Sequence, residues 1–136
     1  MDIVHIFWGL NTGGVETMLV NIANEQVKYG HKVHIIIINN LINNALKNKL
    51  FSDIDFICLN RRVGSKNPLF ILRLNIILLK IHPNVIHIHD VELINLILPL
   101  WRNRSILTVH HLPDNITNSY NKYRKVISIS DSVRDA

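Results

Sequence analysis

The chain has 136 residues, the length of one domain, and its 48% hydrophobic and 18% charged residues exclude a disordered tail. Five Gly, four Pro and a single cysteine, Cys58, exclude a collagen-like repeat and a disulfide scaffold. The net charge of +5 is concentrated in two stretches, Arg61, Arg62, Lys66, Arg73 and Lys80, then Arg102, Arg104, Lys122, Arg124 and Lys125. Such patches suit phosphates, acidic glycans or an anionic membrane surface. Nucleic acid is not expected, because there is no aromatic-rich strand motif, zinc-finger spacing or basic recognition helix.

In chain order, six short runs rich in Ile and Val alternate with helix-period or turn-rich stretches, the pattern of βα units around a parallel sheet. The runs predict strands over Ile3 to Trp8, Lys32 to Ile38, Asp55 to Leu59, Val85 to His89, Ser105 to His110 and Val126 to Ile129. Between the first two, Val15, Met18, Leu19, Ile22, Ala23 and Val27 form one apolar helix face, with Gly30 as a left-handed cap. The Asn-rich stretch from Asn39 to Leu50 reads as a short helix or a loop. Asn67-Pro68 predicts the start of a second long helix that runs through Ile81 until His82-Pro83 stops it. A third is expected from Val91 to about Arg102, bent or ended by Pro99. The last residues, from Ser130, read as the first turn of a further helix. Cys58, in an apolar run, reads as a buried structural thiol.

These elements predict a Rossmann-like, doubly wound, mainly parallel six-stranded sheet in the order 3-2-1-4-5-6. In that order the strand sequence reverses between strands 1 and 4. The loops after Trp8, His89 and His110 should then converge on one crevice at the carboxyl edge. The first of these, Gly9-Leu10-Asn11-Thr12-Gly13-Gly14-Val15-Glu16, opens onto a helix, where paired glycines and free N–H groups suit an anion. It is neither G-x-G-x-x-G nor a P-loop, and the alternative is a tight turn that uses glycine only for its backbone angles. His87 and His89 lie two apart on a strand and face one side, with Asp90 following. His110 and His111 end the next strand. His89, Asp90 and His110 are candidate hydrogen-bonding or acid/base groups, whereas His87, deeper in its strand, reads as a satisfied interior polar group. A zinc hydrolase using His87, His89, Asp90 and His110 is the competing enzymatic reading, although no recognised zinc spacing is present. A stand-alone ligand-binding α/β module is the other. A phosphoacceptor receiver is excluded, since Trp8 and Gly9 stand where it needs acids.

Several separated segments together resemble glycosyltransferase family 4, also called glycosyl transferases group 1. They are Gly13-Gly14-Val15-Glu16, Tyr29-Gly30-His31-Lys32-Val33, Pro83 to Asp90, Leu107-Thr108-Val109-His110, and Val126 to Asp135. The resemblance implies the N-terminal half of a GT-B enzyme with two facing Rossmann-like domains. Such an enzyme is a retaining, metal-independent transferase that moves a sugar from a nucleotide-sugar donor to a glycan or lipid-linked acceptor in cell-surface polysaccharide synthesis. No cofactor is implied beyond the donor as substrate. By the same resemblance Gly13 and Gly14 lie beside the donor diphosphate and His110 is the donor-facing catalytic histidine. His89, Asp90, Lys66 and Glu16 lie on the acceptor side. Most of the donor site, including a pair of acids, belongs to a C-terminal domain that this chain does not hold, so the chain alone is expected to be inactive. His111 departs from the family pattern, and the loop from Arg61 to Lys66 does not align with it. With no apolar run long enough to span a bilayer and no signal-peptide start, the expected location is cytoplasmic, peripheral at the inner face of the membrane.

Overall fold

A computed structural model describes residues 1–11, 13–109 and 118–128. Its strands are β1 (Asp2–Phe7), β2 (Lys32–Asn39), β3 (Asp55–Arg61), β4 (Val85–Ile88), β5 (Ser105–Val109) and β6 (Lys125–Ser128). They form one sheet in the order β3-β2-β1-β4-β5-β6, every pair parallel. The expected order is therefore the observed one. Strand ends differ from expectation by one or two residues: β1 stops before Trp8, β4 before His89, and β3 continues to Arg61. His110, Ile129 and the turn from Ser130 lie outside the described residues.

The central strands are continuous apolar runs because helices and turns cover both faces. β2 is buried from Val33 through Asn39, and in β1 Ile3 to Ile6 are buried. On one face Val33, Ile35 and Ile37 pack on Leu19, Val20 and Ala23 of α1 (Gly14–Lys28). On the other, Val4, Ile6, Ile36 and Ile86 pack on Leu74 and Leu78 of α3 (Leu69–Ile81) and on Trp101. Gly30, at φ +87°, ends α1 as expected. Its N–H donates to Val27 O and that of His31 to Gln26 O, closing the helix with a left-handed glycine. The Asn-rich stretch folds into one turn of helix, α2 (Asn44–Lys47), capped by Asn43 Oδ1 accepting from Leu46 N–H. α3 begins one residue later than Pro68, and Asn67 Oδ1 accepts from Leu69 N–H at 3.1 Å. Its end at left-handed His82 just before Pro83 is the expected one.

The third helix is not continuous. Val91–Leu96 and Pro99–Arg104 are two separate 3₁₀ stretches. The proline forces Leu98 into an extended conformation, φ −61° and ψ 143°, which breaks the run. Cys58 is only partly buried, its thiol within 3.3 Å of two acceptors, Asn39 O and Asn60 Oδ1, for its one S–H.

Candidate active site

The loop after β1 is held down by the segment that follows β2. Leu10 N–H donates to Leu41 O at 2.8 Å, Asn43 N–H to Leu10 O at 2.7 Å and Asn39 N–H to Trp8 O at 2.8 Å. These bonds fix where α1 starts. Gly13 is the N-cap, and no side chain among the described residues caps the helix there. The Thr17 hydroxyl and N–H both donate to Gly13 O, at 2.7 and 3.0 Å, which ties the first turn to the loop. Gly14 is exposed, and a Cβ on it would meet nothing within 4 Å. The packing leaves free space at the positive end of a 15-residue helix, on the edge where the strand order reverses. Glu16 takes up part of that space: its carboxylate lies against the position a Gly13 Cβ would occupy.

Beneath this edge, on the α1 face, three histidines from β1 and the end of β4 meet. His5 pairs with His87 in the strand register, and the His87 and His89 rings stack at 4.4 Å. His5 Nε2–H donates to Gln26 Oε1 at 2.7 Å, so its Nδ1 accepts from His89 Nε2–H at 3.1 Å. Burial holds the His5 pKa at about 4, against the opposing effect of the Gln26 bond. His5 is thus neutral, as this chain of bonds requires. His87 Nε2 bonds the Thr108 hydroxyl at 2.5 Å, which agrees with its reading as a satisfied interior group.

The three imidazoles each offer a nitrogen within 4.8 Å of the others, close enough to consider a metal. The nitrogens named above are engaged with one another, Gln26 and Thr108, and the stacked rings of His87 and His89 lie only 25° from parallel. The arrangement is that of a hydrogen-bonded prop under the β4 end. Of the set expected for a zinc hydrolase, His87 and His89 meet here, and His110 lies outside the described residues. Asp90 Oδ1 instead accepts from Glu92 N–H at 3.0 Å and caps the Val91–Leu96 turn. Tyr123, which burial keeps protonated, braces the same turn by donating to Val91 O at 2.7 Å.

The expected site residues therefore separate. Gly13, Gly14 and Glu16 come together at the carboxyl edge of the sheet, at the start of α1. His89, expected to line a crevice there, is 4% exposed and bonded to His5. Asp90 is half-buried, and its carboxylate accepts from the turn that follows. Lys66 lies in the loop after β3, the edge strand, two strands from β1 and hence about 10 Å across the sheet. His110 and His111 lie outside the described residues. Sequence reasoning missed His5, whose only signal was a lone polar residue alternating with Ile3 and Phe7. It also missed the part played by Arg61. That guanidinium lies 5.8 Å from the Trp8 ring and 5.0 Å from Phe70, and donates to Asn39 Oδ1 at 2.8 Å. It thereby links the β3 end to the loop after β1.

The sequence model of Glycosyltransferase Family 4 matches residues 12–136. The chain belongs to glycosyltransferase family 4. Among solved structures, the crystal structure of a glycosyltransferase from Rickettsia africae ESF-5 is similar, with a TM-score of 0.67 and 25% identity. The match covers 98% of this chain and 38% of that one. No curated protein matches. The family and the neighbour agree with the all-parallel Rossmann-like sheet and with an N-terminal GT-B domain. Among the described residues of this family-4 domain, no helix is long and apolar enough to cross a membrane.

Proposed function

We propose that this chain forms the acceptor-side domain of a retaining, metal-independent glycosyltransferase that moves a sugar from a nucleotide-sugar donor to a glycan or lipid-linked acceptor. Cell-surface polysaccharide synthesis at the cytoplasmic face of the membrane is the setting that fits this reaction. A second domain supplies most of the donor pocket, in keeping with the neighbour's greater length. The observation that carries the reading is the open space at Gly14, at the uncapped start of α1 on the reversal edge, in a chain of this family.

As the bond between the anomeric carbon and the diphosphate breaks, negative charge grows on the leaving phosphate oxygens. Peptide N–H groups and the dipole at the head of α1 are already oriented toward such a charge. His110 follows the last residue of β5, and by the family resemblance it faces the donor across the cleft. Glu16 must yield its place beside Gly13, or hold a hydroxyl there, when an anion arrives. His5, His87 and His89 support the site from below and take no part in the chemistry.

Gly14→Leu tests the loop's role in the two-domain enzyme. The side chain enters empty space, so the melting temperature should be unchanged, while donor KM should rise about tenfold or more, the cost of one charge-assisted hydrogen bond. An unaltered KM would remove the diphosphate from this loop. Residues 1–136 alone are expected to fold yet neither transfer sugar nor hydrolyse a sugar nucleotide. Measurable turnover by them would overturn the division between two domains.

A further inference from the structure

α3 buries one side against the sheet and leaves an apolar stripe on the other. Leu74 and Leu78 are fully buried, whereas Leu69, Leu72, Ile76 and Leu79, spaced three, four and three residues apart, are between 42% and 58% exposed. That spacing puts all four on one helix face. The stripe continues onto exposed Leu98, whose N–H is fixed to Asn75 Oδ1 of α3 at 2.9 Å. A patch of this kind on the surface of a domain signals a partner.

The charges around the stripe identify the partner's chemistry. Arg73 and Lys80 stand on one flank of the helix, and Arg62 and Lys66 on the loop that leads into it, all exposed. From Phe56 to His89 the sequence contains no acid. At the head of the stripe a cavity of about 170 Å³ is lined by Arg61, Arg62, Ser65, Asn67, Leu69 and Arg73. Arg61 is held there by Asn39 Oδ1 and Ser65 O, and its buried Nε–H has no partner among the described residues. Arg73 is likewise anchored, donating to Leu59 O at 3.1 Å. A basic pocket that opens beside an apolar stripe matches a molecule with a phosphate at one end and hydrocarbon at the other.

We propose that this face docks on an anionic phospholipid surface, with Leu69, Leu72, Ile76 and Leu79 entering the interface and a headgroup phosphate seated among Arg61, Arg62 and Arg73. The helix then lies in the membrane plane, apolar stripe down and cations at phosphate level, as interfacial helices do. A second protein or another copy of this chain would also cover leucines. The cations beside the stripe, in a stretch from Phe56 to His89 that holds no acid, disfavour a second copy, because like charges would meet across a symmetric interface. This inference deepens the membrane setting proposed above, and its test reads binding alone, so it can fail without the transfer reaction failing.

Co-sedimentation of the chain with vesicles tests it, using phosphatidylcholine alone or with about one third phosphatidylglycerol, a fraction sufficient for a negative surface potential. The chain should pellet with the anionic vesicles at low salt and bind the neutral ones at least tenfold more weakly. Arg62→Gln with Lys66→Gln should weaken binding about 25-fold, fivefold per cation. Leu72→Ser with Ile76→Ser, both exposed positions that leave the fold intact, should weaken it at every salt concentration. Absence of anionic-vesicle binding at low salt overturns the proposal, as does binding indifferent to the leucine and isoleucine changes. Self-association without vesicles that those same changes abolish would assign the face to a second copy and overturn it equally.

Discussion

His110→Ala in the complete transferase is expected to lower kcat by about 10² to 10³, the usual cost of removing one preorganised donor at a developing charge. The strand order places β5 beside β4 and β4 beside β1, so the chain that leaves Val109, the last residue of β5, emerges at the same edge as Gly13 and Gly14. We propose from the resemblance to family 4 that His110 faces the donor, where an imidazole N–H could bond a leaving phosphate oxygen or a sugar hydroxyl. His111, one residue on, is the control, because neighbouring side chains alternate wherever a chain is extended. Melting temperature separates the two explanations of any loss. A space-filling histidine would lower stability and turnover together, whereas a catalytic one lowers turnover alone. Near-normal kcat in a folded His110→Ala enzyme, or greater damage from His111→Ala, would refute the assignment.

The sheet order was legible because its evidence is chemical and local. Ile35 to Ile38 form an unbroken apolar run, as a strand covered on both faces must, and the helix between β1 and β2 shows its period in Val15 to Val27. The turn at Gly13 could be placed for the same reason, since glycines between a strand and a helix mark a tight βα turn with open backbone. What stayed hidden depends on register and tertiary contact. His5 gains a meaning only once β1 is paired with β4, which sets it opposite His87 and within reach of Gln26. Arg61 is placed by a register shift between Ile37 and Asn39 and by the left-handed Asn60, neither of which composition discloses. The assignment of Lys66 to the acceptor side rested on family position alone, and the strand order adds only that the β3 loop stands at the sheet edge.

The histidine network also makes the domain sensitive to acid. His5 is enclosed by Gln26, His87 and His89, and burial lowers its pKa from the ordinary 6.5 to about 4 in the folded chain. Between those values the unfolded chain binds the proton and the folded chain does not, so stability must rise with pH across the interval. The contribution is fully present above pH 6.5 and is lost progressively as the pH falls toward 4. Its total, the shift multiplied by 1.36 kcal/mol per unit, is about 3 kcal/mol, roughly three hundredfold in the folding equilibrium. Urea titrations at pH 7, 6, 5 and 4.5 should therefore show a falling midpoint. His5→Gln, which retains a polar group and cannot titrate, should be less stable at pH 7 but flatter across the same range. If its slope equals that of the parent chain, acid acts elsewhere. If the His5 ring proton titrates near 6.5 by NMR in the folded domain, the neutral hydrogen-bonded prop beneath the β4 end does not exist.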